Sequence, residues 1–162
     1  MIQYLKGDAT CPQAKGVKII AHICNDLGGW GKGFVLALSK RWSAPEDLYR
    51  KWHKTRFYHD GLGPDDNFCL GNVQLILIDK YIFVVNMIAQ HGMKTGSNGP
   101  PIRYDALETC LSKLRIIALD SQASVHMPRI GCGLAGGKWE KVEPIIQKTL
   151  SDINVFIYDY EK

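Results

Sequence analysis

Two glycine-rich loops, each placed between a strand pattern and a helix pattern, constrain this chain more than any other feature. The late loop, residues 131–137, holds four glycines and follows an apolar run that begins at Ser124. Glycine permits positive φ angles and lets a ligand approach the main chain, so that consecutive N–H groups can converge on an anion near a helix start. The late loop is therefore predicted to hold phosphate.

Gly131, Gly133 and Gly136 also match G-x-G-x-x-G, the dinucleotide fingerprint of the Rossmann fold. That fold requires a downstream βαβ unit, with an acidic residue about 20 residues further on. Only one helix pattern and one strand pattern remain before the sequence ends, so a Rossmann domain has no room to follow this loop. A plain glycine-rich connector is the alternative for the late loop taken alone.

The early loop, residues 24–33, repeats the same architecture. It follows an apolar run at 17–23 without alternation, as expected for a strand covered on both faces, and it leads into a helix pattern that starts at Phe34. Two such loops can lie side by side at the carboxyl ends of neighbouring strands, where open α/β sheets bind ligands. We therefore expect a diphosphate between the two loops.

Length and composition narrow the class of protein. A chain of 162 residues with 46% apolar residues suits one well-packed domain, spanning 1–162. Five cysteines without a C-x-x-C pair predict neither a disulfide framework nor a zinc site, and they suit the cytoplasm. No apolar run approaches the roughly 20 residues that cross a bilayer. A net charge of +4 without a Lys/Arg block favours a small anionic ligand over nucleic acid.

The remaining patterns predict a mixed sheet with helices. Strands are expected at 2–6, 70–78, 81–89 and 153–160, with the middle two forming an antiparallel hairpin, and helices at 107–118 and 138–150. Ser43 and Glu46 fit a capping box that starts a further helix. Pro144 is unfavourable inside a helix, which predicts a later start for the last helix or a bend.

Several polar residues stand where strands end. Asp8 follows the first strand, and the ordinary reading of Asp beside Gly is a turn residue. His22 and Asn25 close the buried strand, immediately before the glycines of the early loop. For His22 the alternatives are a hydrogen-bonded core histidine and a proton carrier.

Taken together, three motifs resemble the macro domain family. They are Lys6-Gly7-Asp8, the pattern H-x-x-N-x-x-G-x-W-G-x-G-F from His22 to Phe34, and P-R-I-G-C-G-L from Pro128 to Leu134. The resemblance covers nearly the whole chain. It implies a three-layer α/β/α domain with a mixed central sheet that binds ADP-ribose, which some members hydrolyse from its derivatives.

The resemblance also implies roles for individual residues. Asp8 would accept a hydrogen bond from the adenine amine, Tyr158 would pack on the adenine, and Asn25 would face the distal ribose. An aromatic face with one carboxylate selects adenine, and main-chain amides neutralise a diphosphate without lysines. The other ligand contacts that the family pattern implies are Ala9, Gly31, Gly33, Phe34, Gly131, Cys132, Gly133, Leu134 and Ala135.

His22 and Asn25 look most like the branch that includes ADP-ribose 1″-phosphate phosphatases. A related branch, which removes ADP-ribose from glutamates, uses a lysine and an aspartate where this chain has Gln90 and Ala135, and Lys94 would serve only after a loop shift. We therefore expect a hydrolase without metal or cofactor, in which His22 transfers a proton and Asn25 positions the ribose. Free ADP-ribose derivatives or an ADP-ribosylated protein would be the substrate. A reader that only binds ADP-ribose is the alternative.

Overall fold

A computed structural model describes residues 2–56, 67–93, 96 and 99–160, and its centre is a six-stranded sheet. In chain order the strands are β1 (Ile2–Lys6), β2 (Lys18–Asn25), β3 (Val73–Leu77), β4 (Ile82–Gln90), β5 (Ser124–Pro128) and β6 (Val155–Asp159). Across the sheet they follow the order β1-β6-β5-β2-β4-β3. β3 runs antiparallel to β4, and the other neighbouring pairs are parallel.

Four helices cover the two faces of the sheet. They are α1 (Phe34–Arg41), α2 (Ala44–Thr55), α3 (Tyr104–Ser121) and α4 (Trp139–Thr149). β2 explains why the predicted strand lacks alternation: Ile19 is buried in the core under α3 and α4, whereas Ile20 is buried in the core under α1 and α2. A strand with helices on both sides is apolar at every position. The predicted three-layer α/β/α fold with a mixed sheet is thus confirmed.

The hairpin prediction is also confirmed. β3 and β4 pair with Leu77 opposite Phe83, and the carboxylate of Asp79 accepts hydrogen bonds from the N–H groups of Tyr81 and Ile82 at 2.8 and 2.9 Å. A short polar turn leaves no length for a crossover helix, so the two strands must be antiparallel. None of the helices in the described part of the chain is long and apolar enough to cross a membrane.

The structure contradicts two details of the helix predictions, the capping bond of Ser43 and a start of the last helix beyond Pro144, whereas a bend at Pro144 stays a prediction. Ser43 lies at the N-cap of α2, but its φ of −78° and ψ of −27° are already helical and it makes no side-chain capping bond. The Glu46 carboxylate instead accepts hydrogen bonds from Ser39 and Arg50. The last helix starts at Trp139, and Pro144 lies inside it. The favourable apolar face of α4 therefore outweighs one missing main-chain donor.

The parallel strands place their carboxyl ends at one edge of the sheet. The early loop leaves β2 there, the late loop leaves β5, and Asp8 follows β1 after Gly7, whose N–H donates to the carbonyl of Asp159 at 2.8 Å. Every predicted ligand-binding segment therefore lies at this edge, where open α/β sheets bind ligands.

Candidate functional site

A cleft of about 720 Å³ opens at the carboxyl edge, between α1 and the ends of β1 and β6. Its lining residues are Gly7, Asp8, Ala9, Gly33, Phe34, Leu36, Ala37, Lys40, Arg41, Pro128, Tyr158 and Tyr160. A cavity of this volume suits a nucleotide-sized ligand. Five of the residues predicted to bind ligand lie in this wall, namely Asp8, Ala9, Gly33, Phe34 and Tyr158.

The Asp8 carboxylate uses one oxygen within the protein and keeps the other accessible. Its Oδ1 accepts hydrogen bonds from the main-chain N–H and the hydroxyl of Thr10 at 2.8 and 2.7 Å. Its Oδ2 lies 3.7 Å from Nη2 of Arg41, and 35% of the side chain is exposed. Arg41 is held in turn by its Nε, which donates to the Thr10 hydroxyl at 2.7 Å. The fixed carboxylate therefore presents its Oδ2, beside the Arg41 guanidinium, to the cleft.

Tyr158 also lines the cleft, and its hydroxyl is held by a histidine. Its hydroxyl lies 2.7 Å from Nδ1 of His126, whose Nε2 lies 2.8 Å from the Ser124 hydroxyl. Burial raises the pKa of Tyr158 to about 12. The ring of His126 also stacks flat on Phe156 at 4.9 Å. The aromatic face is thus fixed before any ligand arrives.

Asn25 organises the early loop. Its Oδ1 accepts hydrogen bonds from the N–H groups of Leu27 and Gly29 at 2.9 and 3.0 Å and from the Tyr49 hydroxyl at 3.1 Å, and its Nδ2 donates to the Gly29 carbonyl at 3.0 Å. Trp30 anchors the loop in the core, where it is 4% exposed. One hydrogen of Nδ2 is left to reach a ligand.

His22 lies deeper than a proton carrier should. It is 2% exposed, its Nε2 is 2.5 Å from Oδ1 of Asn86, and its ring packs against Trp30 and Phe34. Burial lowers its pKa to about 4, and its Nδ1 is enclosed without a partner among the described residues. Phe34, which packs on the imidazole, also lines the cleft. Of the two alternatives for His22, this geometry favours a packed, hydrogen-bonded strand residue over a proton carrier, and the catalytic role stays a prediction.

The late loop presents a row of unused main-chain donors. Its carbonyl groups are partly occupied, since Gly136 donates to Gly133 at 3.0 Å and Gly137 donates to Gly131 at 2.7 Å. Within the described residues, however, the N–H groups of Gly133, Leu134 and Ala135 have no acceptor. Free consecutive amides at a strand-to-helix turn are the donors that bind diphosphate oxygens.

Two of the glycines of the late loop are required by close packing. Gly137 could not carry a side chain, because a Cβ there would overlap the carbonyl oxygen of Gly131. Gly131 has a φ of +74°, and a Cβ on it would overlap the side chain of Ile102. Gly133 differs, since a Cβ there would meet no atom within 4 Å. The late loop is therefore tightly packed at Gly131 and Gly137, whereas Gly133 has open space around it.

The two loops meet beside the cleft, as the sequence predicts. A Cβ built on Gly33 would come within 3.6 Å of Leu134, whose side chain is 61% exposed. Gly33 has a φ of +83° and is the N-cap of α1, so the start of that helix adds positive potential at the same place. The predicted ligand residues that lie outside the cleft lining are Asn25, Gly31, Gly131, Cys132, Gly133, Leu134 and Ala135.

The sequence reasoning missed two cationic residues, Lys40 and Arg41, which line the cleft from the last turn of α1. The available signal was that Arg41 lies about two turns after Phe34 on the same helix, with Lys40 beside it. Lys94, considered above as a substitute for the missing lysine, lies outside the described residues. Gln90 closes β4, and its side chain donates to the Gly92 carbonyl at 3.0 Å. No group of three potential metal ligands occurs in the described ranges.

Comparison with known proteins adds independent information. No family model matches the chain. A solved protein of unknown function from Bacteroides thetaiotaomicron is 53% identical with a TM-score of 0.90, and the match covers 98% of each chain. A solved macrodomain protein from Streptomyces coelicolor is 50% identical with a TM-score of 0.85, and the match covers 99% of this chain and all of the other.

Curated relatives are more distant. The mouse chromodomain-helicase-DNA-binding protein 1-like is 32% identical over 98% of this chain, which spans only 17% of that protein's length. An ADP-ribose 1″-phosphate phosphatase from Lodderomyces elongisporus is 25% identical over 98% of this chain and 99% of its own length. An ADP-ribose glycohydrolase from Bos taurus is 26% identical over 97% and 90%. With the full-length match to the Streptomyces protein at 50% identity, these findings show that the chain belongs to the macro domain family.

Proposed function

We propose that this macro domain binds ADP-ribose in its cleft and hydrolyses a derivative of it at the distal ribose. The observation that carries the proposal is the combination of an accessible Asp8 carboxylate with the three free amides of the late loop, residues 133–135. The first is an acceptor suited to the adenine amine. The second is a set of donors suited to a diphosphate.

The order of these groups along the sheet edge supports a nucleotide laid across it. Asp8 follows β1 and Tyr158 belongs to β6 at one end of the sheet, and the two glycine loops follow β5 and β2 in the middle. ADP-ribose has adenosine, diphosphate and distal ribose in the same linear order. The distal ribose would then lie beyond β2, near the carboxyl end of β4.

Hydrolysis is supported by the relatives that match over almost their whole length, which are an ADP-ribose 1″-phosphate phosphatase and an ADP-ribose glycohydrolase. Both names describe hydrolases that act on ADP-ribose or its 1″-phosphate. The enclosed position of His22 and the alanine at position 135 instead favour the second candidate, a reader that binds ADP-ribose without turnover.

A panel of three substrates separates these functions. The purified protein should release product from at least one of ADP-ribose 1″-phosphate, O-acetyl-ADP-ribose and an ADP-ribosylated protein, and calorimetry should detect binding of ADP-ribose. Binding without turnover on all three would identify a reader. Absence of binding would contradict both functions.

Asp8→Asn tests the adenine end with little change in packing. The amide oxygen of asparagine can still accept from Thr10, whereas its NH₂ group would face the adenine amine with a second donor. We expect the affinity for ADP-ribose to fall by roughly 1.5–3 kcal/mol, the range for a hydrogen bond to a charged partner. Titration calorimetry measures this change.

The control for Asp8→Asn is the inosine analogue of the ligand, whose oxo group cannot donate to a carboxylate. The wild-type protein should bind this analogue more weakly than ADP-ribose, and Asp8→Asn should reduce the difference. Equal affinities of the wild-type protein for the two ligands would remove Asp8 from the adenine site.

A further inference from the structure

We propose that His91, oriented by Asp26, is the general base that activates water at the distal ribose; the inference rests on the hydrolytic function proposed above. The two residues are 65 positions apart in the sequence. They meet because β2 and β4 are neighbouring parallel strands, and each residue directly follows the strand end, at Asn25 and Gln90.

Asp26 is fixed so that one oxygen can hold the imidazole. Its Oδ1 accepts the main-chain N–H of Gly92 at 2.8 Å, and its Oδ2 lies 2.7 Å from Nδ1 of His91. Its own main-chain N–H donates to the Gln90 carbonyl at 3.0 Å. The carboxylate is 18% exposed, so it is shielded more than a surface ion pair. It therefore holds the proton on Nδ1 and leaves Nε2 as the basic nitrogen.

His91 itself is accessible, in contrast to His22. Its side chain is 58% exposed, and Nε2 has no partner among the described residues. Its main-chain N–H donates to the carbonyl of Pro101 at 2.8 Å, which anchors the residue at the end of β4. An accessible imidazole with its other nitrogen on a carboxylate is the arrangement that general base catalysis requires.

The segment that carries His91 lies against the early loop. A Cβ built on Gly29 would overlap the sulfur of Met93 and would come within 3.0 Å of Nδ2 of Asn25. Along the sheet edge, β4 is the strand that follows β2 on the side away from Asp8. A ligand with adenine at Asp8 and diphosphate at the glycine loops would therefore bring its distal ribose to the β4 end, beside His91.

Hydrolysis proceeds by attack of a water molecule on the distal ribose. Nε2 of His91 takes a proton from a water molecule while the water oxygen forms a bond to the anomeric carbon C1″. The bond from C1″ to the leaving oxygen breaks, and its electron pair leaves with the phosphate or carboxylate. The proton then passes from Nε2 to solvent, which returns the imidazole to its neutral form. Asp26 stabilises the cation in between.

The test compares His91→Ala, His91→Gln and Asp26→Asn with a control, Asp152→Asn, which removes a similarly short carboxylate pair with Arg115 on the surface away from the cleft. Turnover of ADP-ribose 1″-phosphate, binding of ADP-ribose and melting temperature are measured for each. Both His91 variants should lose about 10²–10⁴-fold in kcat, the usual contribution of general acid–base catalysis. Asp26→Asn should lose up to about 10⁴-fold in kcat, as when the aspartate that orients a general-base histidine is replaced.

Two readouts distinguish a base from a structural contact. Affinity for ADP-ribose should stay unchanged in the His91 variants, and added imidazole should restore turnover to His91→Ala but not to Asp26→Asn. Asp152→Asn should behave as the wild type.

An active wild-type protein whose two His91 variants keep the full rate would overturn the assignment of His91 alone. A parallel loss of rate and affinity without imidazole rescue would overturn it as well, in favour of a positioning role. Binding without any wild-type turnover would instead overturn the hydrolytic function, and this inference with it.

Discussion

Replacing Gly133 with valine is expected to abolish detectable ADP-ribose binding while the fold remains intact. Gly133 faces open space, so the new side chain meets no neighbouring atom, and it would stand over the free amides at 133–135. Each hydrogen bond to a charged group is worth roughly 1.5–3 kcal/mol, so the loss of two such bonds weakens binding by more than about 100-fold. Calorimetry measures the affinity, and thermal unfolding checks the fold.

Two variants of the neighbouring residues are the controls. Gly137→Ala places a Cβ on the Gly131 carbonyl, so it should lower the melting temperature, which Gly133→Val should not. Lys138→Ala should cost less than about 1 kcal/mol of affinity, as for an exposed ion pair. If the lysine variant loses more affinity than Gly133→Val, side-chain charge rather than the main chain binds the diphosphate.

Acid should destabilise this protein at an unusually high pH, because two buried histidines must be neutral in the folded state. Burial lowers the pKa of His22 to about 4, and burial together with nearby Lys18 lowers that of His126 to about 4. In the unfolded chain both pKa values return to about 6.5, so the unfolded state binds protons first as the pH falls. The stability present above pH 6.5 is therefore lost progressively down to pH 4. Each histidine contributes up to about 3 kcal/mol.

Urea unfolding at a series of pH values between 7.5 and 4.5 measures this loss. The carboxylates Glu46, Asp152 and Asp159 have lowered pKa values, because each accepts hydrogen bonds from an arginine. Their contribution to stability disappears at lower pH, so the loss of stability above pH 4.5 is due mainly to the histidines. His22→Gln, whose amide can still donate to Asn86, should roughly halve the slope within this window. An unchanged slope would show that His22 is not buried in neutral form.

The fold could be predicted from the sequence because each pattern that indicates it lies within one short segment of the chain. The early and late loops are contiguous segments, and the apolar run at 17–23 shows on its own that β2 is covered on both faces. The hairpin follows from the short turn at Asp79. Asp8 and Tyr158 stand at the ends of strands, so their place at the carboxyl edge follows once the strands are parallel.

Contacts between side chains that are far apart in the chain could not be predicted from the sequence. For His22 the sequence leaves a proton carrier and a core histidine as alternatives, because it does not show the hydrogen bond to Asn86, 64 positions away. The contact between Asp26 and His91 likewise depends on the register of β2 against β4. A shift of one residue in that register would break the contact. Burial and register arise from the whole chain, so motif spacing cannot supply them.

The strand order has a consequence for how the specificity of this domain can change. β1 and β4 are separated by β6, β5 and β2, so Asp8 and His91 lie about 19 Å apart along the sheet edge if neighbouring strands are about 4.8 Å apart. Substitutions separated by more than about 10 Å usually have additive energetic effects. Substitutions at the β4 end could therefore change which leaving group is preferred, by evolution or by design, without changing the affinity for the nucleotide.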